Sequence, residues 1–196
     1  GLSRDKIHAY LWPESEPERA RHGLNQLVYF QRRHLDGREL FLGKKTLRLN
    51  PQAITSDVWE FEDAFDQGAY ETAARLYVGP FLDGFFLTGA PEFERWASDH
   101  RRRLGDRCGR ALGALASAAA AKGEHRQAVE WWNRAAELNP YDTDTVLHLA
   151  EEWVAAGDRG AAIRCALHHT EILHAELGTR PDPRVARMIT DLRSAQ

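Results

Sequence analysis

The sequence predicts a mainly α-helical protein that carries one small β-hairpin. Three observations lead to this fold class: two adjacent helix patterns before residue 36, two short apolar-alternating runs around Gly43, and a 34-residue spacing of small residues further along the chain. The 196 residues are enough for one large or two small domains with their own cores. A content of 43% hydrophobic and 28% charged residues is typical of a soluble globular protein.

The sequence also predicts a cytoplasmic protein. No apolar run approaches the roughly 20 residues of a membrane span, and no signal-peptide pattern is present. Cys108 and Cys165 are far apart and match no metal or redox spacing, which fits a reducing compartment. The chain begins at Gly1 without an initiator methionine, so we expect further residues upstream.

Charge is distributed unevenly along the chain. Residues 1–50 hold 10 basic against 6 acidic residues, a balance of +4, whereas residues 51–196 have a balance of −7. We therefore predict two domains, divided near residue 50. The basic segment is the one expected to meet a polyanion.

Two helices are predicted in the basic segment. Ser3 is suited to cap a first helix over residues 4–12, which Pro13 ends. A second helix is predicted over about residues 16–35, and its start has the capping-box spacing of Ser15 and Glu18. Two helices joined by a short turn form a helix-turn-helix.

The second helix separates an apolar face from a polar face when its residues are placed about 100° apart. The predicted apolar face consists of Ala20, Leu24, Leu27, Val28 and Leu35. The predicted polar face consists of Arg21, His22, Asn25, Gln26, Tyr29, Arg32 and Arg33. A solvated helix face usually mixes acids with bases, but no acidic residue lies between Arg19 and Leu35. Arginine can pair with guanine, and Asn or Gln with adenine, in the major groove, so this face favours DNA.

A basic-tipped β-hairpin is predicted after these helices. Two short apolar-alternating runs, residues 39–42 and 46–49, flank the sequence Gly43-Lys44-Lys45. A helix-turn-helix followed by such a hairpin is a winged helix-turn-helix. Lys44 and Lys45 would then lie over a phosphate backbone, the alternative being a hairpin tip that only increases solubility.

Helical repeats are predicted from Asp57 onward. Gly123 and Gly157 are 34 residues apart, and so are Ala128 and Ala162, which is the period of the tetratricopeptide repeat. Other residues that occupy consensus places, counted from Gly109, are Ala116, Trp132, Ala135, Pro140, Leu149, Ala150 and Trp153. An earlier half-copy contains Gly68, Ala73 and Tyr77. The acidic part is therefore predicted to be a tetratricopeptide-like α-helical domain.

Five segments in order resemble the bacterial transcriptional activator domain of antibiotic-regulatory-protein-type regulators. They are "LWPESEPERARHGLNQLVYFQRRHL", "LRLNPQAITSDVWEFEDAF", "GPFLDGFFLTGAPEFERWASDHRRRL", "AVEWWNRAAELNP" and "ELGTRPDP". The resemblance implies that residues 1–50 are the C-terminal part of a winged helix-turn-helix DNA-binding domain, and that residues 51–196 are the activator domain. It assigns DNA reading to Arg21, His22, Asn25, Tyr29 and Arg32.

The resemblance also implies partners. In that family the DNA-binding domain begins with a small β-platform and a first helix, and this sequence opens after them. Binding of double-stranded DNA is therefore expected of the parent protein more than of this fragment. The helical repeats are expected to contact the transcription machinery or another protein, or to form a homodimer.

The sequence leaves two other classes of function open. For an enzyme or a metal site, His168, His169 and His174 lie near Glu171, but no further ligand occurs at a matching position, so surface histidines are expected. No catalytic residue, metal or cofactor is predicted.

A protein-binding scaffold without sequence-specific DNA binding is the second alternative, because helical repeats form concave surfaces that hold peptides. Trp131, Phe85 and Phe86 are the candidate contacts for such a partner. Trp132 and Trp153 stand at consensus positions and are expected in the core.

Overall fold

A computed structural model describes residues 1–34, 39–180 and 182–194 of the chain. It is mainly α-helical with one small antiparallel sheet, as the sequence predicts. In chain order the elements are β1 (Leu2–Ser3), α1 (Arg4–Leu11), α2 (Pro17–His34), β2 (Phe41–Leu42), β3 (Thr46–Leu49), α3 (Asp57–Asp66), α4 (Tyr70–Leu76), α5 (Pro91–Ala121), α6 (His125–Leu138), α7 (Thr143–Ala155), α8 (Arg159–Leu177) and α9 (Pro183–Ser194). The predicted end of the second helix at Leu35 lies outside the described residues.

The start of α1 agrees with the prediction, and the start of α2 does not. The Ser3 hydroxyl accepts a hydrogen bond from the Lys6 backbone N–H at 3.2 Å and caps α1. The prediction that Ser15 caps the second helix is wrong, because α2 begins at Pro17 and the residue before it is Glu16. Proline suits a first helical position, since its fixed φ is helical and it has no N–H to leave unpaired.

The hairpin is extended by a third strand that the sequence analysis did not identify. The strand order is β1-β3-β2, and β1 pairs antiparallel with β3 through Leu2 opposite Leu47. A two-residue strand is too short to show alternation, so it leaves no periodic signal. Gly43 turns the hairpin at φ 94°, and a Cβ there would come within 2.1 Å of the Thr46 carbonyl oxygen.

The chain divides into two compact units, Gly1–Glu62 with Val78–Leu104, and Asp63–Tyr77 with Gly105–Gln196. One core cluster of the first unit joins α2 to β3, and its buried members are Leu24, Val28 and Leu47. The other cluster packs Tyr10 and Leu11 of α1 against the start of α5, and its buried members are Ala90, Phe93 and Ala97. The boundary near residue 50 stays a prediction.

One member of the predicted apolar face of α2 is not buried. Ala20, Leu24 and Val28 are less than 9% exposed, whereas Leu27 is 47% exposed. The buried residues recur every fourth position, and Leu27 lies about 60° to the other side of Leu24 from Val28. Its prediction as a core residue is therefore wrong, because the wheel grouped a wider arc than the packing covers.

The second unit contains the predicted repeats. Gly68, Gly123 and Gly157 each lie between two helices with φ between 73° and 86°, a conformation that residues with a Cβ rarely adopt. Ala128 and Ala162 are completely buried, and the packing continues from α6 to α7, α8 and α9. The 34-residue period therefore marks equivalent turns and equivalent close helix contacts.

One of the three histidines in α8 is not on the surface. His169 is 3% exposed, and its Nδ1 lies 2.9 Å from the Pro140 carbonyl oxygen and its Nε2 3.1 Å from Thr143 Oγ1. His168 and His174 are exposed as expected. Residues 168 and 169 point about 100° apart on the helix, so only one faces the turn before α7.

Neither a metal site nor a membrane-spanning helix occurs in the part of the chain that the structure describes. No group of His, Cys, Asp and Glu residues there is arranged to hold a metal ion. None of its helices is both long enough and apolar enough to span a bilayer.

Candidate nucleic-acid interface

The polar face of α2 is open to solvent along its length. Because Ala20, Leu24 and Val28 anchor one side of the helix in the core, the residues between them point outward. Every residue predicted for DNA contact on this helix is exposed: Arg21, His22, Asn25, Gln26, Tyr29, Arg32 and Arg33. The structure therefore presents cations, amides and one phenol on a single helix surface.

The wing tip is joined to this surface by Arg4. Lys44 and Lys45 are both exposed at the tip of the β2–β3 hairpin. The Arg4 guanidinium donates to the Lys44 carbonyl oxygen at 2.6 Å and to Asn25 Oδ1 at 2.9 Å. The Arg4 backbone N–H donates to the Lys45 carbonyl oxygen at 3.2 Å. The predicted helix residues and the predicted wing residues thus belong to one connected surface.

Sequence reasoning missed the role of Arg4, which it saw only as the first residue of a helix. Strand β1 determines the position of Arg4, since pairing of Ser3 with Thr46 places Arg4 beside the hairpin tip. No local pattern in the sequence gives that pairing, because its two partners are more than forty residues apart.

Arg32 forms an ion pair with an acidic residue that follows the helix. Its Nη2 lies 2.8 Å from Glu39 Oε1, and both side chains are about half exposed. An exposed ion pair of this kind contributes about 0–1 kcal/mol, so phosphate could replace the carboxylate at little cost. The acid-free stretch of the helix therefore begins after Glu18, in its first turn, and acidic residues return in the segment that follows the helix, which contains Glu39.

An apolar edge borders the polar face of α2. Leu27 and Phe30 are 47% and 56% exposed, and the Phe30 ring stacks on His34 with centroids 3.8 Å apart. Sequence reasoning did not single out Phe30, because a wheel divided into only two faces assigns edge residues to neither.

Phe85 and Phe86, predicted for protein contact, lie in the first unit on the loop that precedes α5. They are 49% and 72% exposed. Arg101 holds this loop by donating to the Phe81 carbonyl oxygen at 2.7 Å and the Leu82 carbonyl oxygen at 3.0 Å. The loop is therefore a tethered segment that exposes two aromatic rings.

Trp131, the third candidate for protein contact, belongs to the second unit. It is half-buried, with the Arg134 guanidinium 5.3 Å from its ring centroid. Trp132 is also half-buried and stacks on His148 with centroids 5.0 Å apart. Trp153 is half-buried as well, so neither consensus tryptophan is fully in the core.

Comparison with known proteins gives a family and a fold. The family described as bacterial transcriptional activator domain matches residues 57–193. Among solved structures, the chain is similar to "Mycobacterium tuberculosis EmbR in complex with low affinity phosphopeptide", with a TM-score of 0.63 and 20% sequence identity. That match covers 100% of this chain and 55% of the EmbR chain, so the chain spans about half the length of EmbR. A search of curated proteins finds no match.

The two findings carry different weight. At 20% identity the likeness to EmbR shows a shared fold, which includes the winged helix as well as the helical repeats. The family match covers more than half of the chain, and it includes the helical repeats with their equivalent glycine turns and buried alanines. The chain belongs to the bacterial transcriptional activator domain family.

Proposed function

We propose that the chain is part of a DNA-binding transcriptional activator in which α2 enters the major groove. The observation that carries the proposal is the exposed polar face of α2, which carries no acidic residue after Glu18 in its first turn and is connected through Arg4 to a wing tip with two exposed lysines. Phosphate contacts set the position of a protein on DNA, and base-edge contacts set the sequence. Both kinds of group are available on this surface.

The residues divide into two roles under this proposal. Arg21 and Asn25 read base edges, because a bidentate Arg recognises guanine and a carboxamide recognises adenine. Arg33, Lys44 and Lys45 bind phosphates and add the salt-dependent part of the affinity. The remaining polar residues, His22, Gln26, Tyr29 and Arg32, supply flanking contacts.

The helical repeats supply the second function of an activator. We place their role in contact with the transcription machinery, another protein or a second copy of the chain, with Trp131 as the candidate contact in the repeats. Phe85 and Phe86 are separate candidate contacts on the loop before α5. A regulator that binds bacterial DNA acts in the cytoplasm, which agrees with the reduced state expected of its cysteines.

Selection from a pool of duplexes with a randomised centre tests the proposal. The assay uses the full-length parent protein, of which this chain is a part. The parent should enrich a preferred sequence, and Arg21→Ala and Asn25→Ala should each cost about 1–3 kcal/mol on it and relax the preference at one base pair. Lys44→Ala and Lys45→Ala should weaken binding to all duplexes and lower the salt slope by about one each. Arg126→Ala, on the surface of α6, is the matched control and should change neither quantity.

Unchanged affinity of Arg21→Ala and Asn25→Ala for the enriched sequence would contradict the proposal. The face of α2 would then be an ordinary solvated surface, and the protein-binding scaffold would be the better explanation.

A further inference from the structure

We propose that Arg4 is a positioning residue that sets the sequence preference of Asn25, an inference that rests on the proposed DNA-binding function. Arg4 is half-buried at the first position of α1, where it lies between the helix that faces DNA and the hairpin tip. Its guanidinium makes two hydrogen bonds, from Nε to the Lys44 carbonyl oxygen and from Nη1 to Asn25 Oδ1.

The shape of the Arg4 guanidinium allows it to bind two acceptors. Arginine presents five N–H donors in a rigid planar fork, so two acceptors on different elements can be held at once. A lysine ammonium is a point charge on a flexible stem and does not reproduce that fork. The contact with Asn25 therefore depends on the shape of Arg4 as well as its charge.

Arg4 also fixes the orientation of the Asn25 carboxamide. An exposed carboxamide can rotate so that either its oxygen or its NH2 group faces a given neighbour. Arg4 only donates hydrogen bonds, so it selects the orientation in which Oδ1 faces Arg4. The NH2 group and the second lone pair of Oδ1 are then left for a base. Adenine needs both a donor for its N7 and an acceptor for its amino group, and it meets them in a fixed orientation.

The Arg4 side chain can be changed without releasing the wing. The backbone N–H of Arg4 donates to the Lys45 carbonyl oxygen, and β1 pairs with β3 through main-chain groups. Neither contact uses the Arg4 side chain. The conservative variant Arg4→Lys should therefore keep the fold and the charge while removing the orientation of Asn25.

The experiment is a double-mutant cycle on the parent protein, using the duplex enriched by selection and the same duplex changed at the base pair that Asn25→Ala relaxes. Arg4→Lys should lower the preference between these two duplexes by about three- to tenfold, the range expected for one hydrogen bond. Its salt slope should not change, because the positive charge remains. In the Asn25→Ala background, Arg4→Lys should have no further effect on the preference.

Arg126→Lys on α6 makes the same chemical change outside the surface and should alter neither preference nor slope. An unchanged preference in Arg4→Lys would overturn the inference, and so would an equal loss in the Asn25→Ala background. An equal loss of affinity for both duplexes would leave the preference unchanged and would show instead that Arg4 binds phosphate directly. If the unaltered parent protein prefers no duplex over a scrambled one, the proposed function fails and the inference fails with it.

A measurement without DNA tests the same contact. In the free chain, nuclear relaxation of the Asn25 side-chain NH2 group should report restricted motion that Arg4→Lys releases. The NH2 group of Asn133 in α6 is the internal reference and should not change. Equal mobility of the Asn25 group in both proteins would overturn the inference even if DNA binding is intact.

Discussion

Alanine substitution of two glycines inside α5 should stabilise the protein at one position and not at the other. Gly109 and Gly113 are one helical turn apart, and each lowers helix stability by about 1 kcal/mol relative to alanine. A Cβ at residue 109 would lie 3.9 Å from Leu138 Cδ2, which is ordinary van der Waals contact. Gly109→Ala should therefore increase the free energy of unfolding by about 1 kcal/mol.

At Gly113 the same gain is opposed by a tryptophan. A Cβ there would lie 3.2 Å from Cη2 and 3.4 Å from Cζ3 of Trp132. The Trp132 ring also stacks on His148, which limits how far it can move away. Forcing a methyl group into a packed site costs about 1–3 kcal/mol, which equals or exceeds the gain in helix propensity. Gly113→Ala should therefore be less stable than Gly109→Ala by about 1–3 kcal/mol.

Thermal unfolding of the full chain measures the difference. Gly109→Ala should raise the melting temperature by about 2–4 °C, and Gly113→Ala should leave it unchanged or lower it. An equal rise in both variants would show that Trp132 does not pack over residue 113, and the packing of α5 against α6 described above would be wrong.

Three further predictions concern the second unit. Ala128→Arg and Ala162→Arg should each lower the free energy of unfolding by more than about 3 kcal/mol, because both sites are completely buried. Ala118→Arg on the exposed side of α5 is the control. Near-native melting temperatures of the first two variants would show that the repeat phase is wrong. His169→Phe should cost about 1–3 kcal/mol because it leaves the Pro140 carbonyl and the Thr143 hydroxyl without their partner, whereas His168→Phe should cost less than about 0.5 kcal/mol in the same urea titration. Burial raises the pKa of the Cys108 and Cys165 thiols to about 11, so between pH 9 and that value the unfolded chain releases protons that the folded chain retains, and stability should fall as pH rises. A Cys108→Ala/Cys165→Ala variant should show a shallower decline in its urea midpoint over that range, and an identical decline would refute the contribution of the thiols.

Much of the fold could be predicted from the sequence because its signals are local or periodic. Ser3 caps α1 through a residue three positions away, and the 34-residue period repeats the same left-handed glycine at the same turn. The start of α2 was misplaced because capping-box spacing and a first-position proline compete over a few residues, and here the proline sets the boundary.

The exposed residues of the candidate surface could be predicted from the sequence, but the contacts that join them to other segments could not. Exposure of Arg21, Asn25 and Arg33 follows from the helical period once Leu24 and Val28 are buried. The contact of Arg4 with Asn25 and the burial of His169 depend on which distant segment packs beside them. Pairing of β1 with β3, and of α8 with the turn before α7, is a tertiary result that no single window of sequence contains.

Base-analogue substitution in the enriched duplex tests most directly whether α2 reads the major groove. Replacing adenine by 7-deazaadenine removes only the N7 acceptor on the major-groove edge, and replacing guanine by inosine removes only the amino group on the minor-groove edge. We predict that 7-deazaadenine at the base pair relaxed by Asn25→Ala weakens binding of the parent protein about fivefold or more, the worth of one hydrogen bond, while inosine has no effect. Weaker binding with inosine and unchanged binding with 7-deazaadenine would contradict entry of α2 into the major groove.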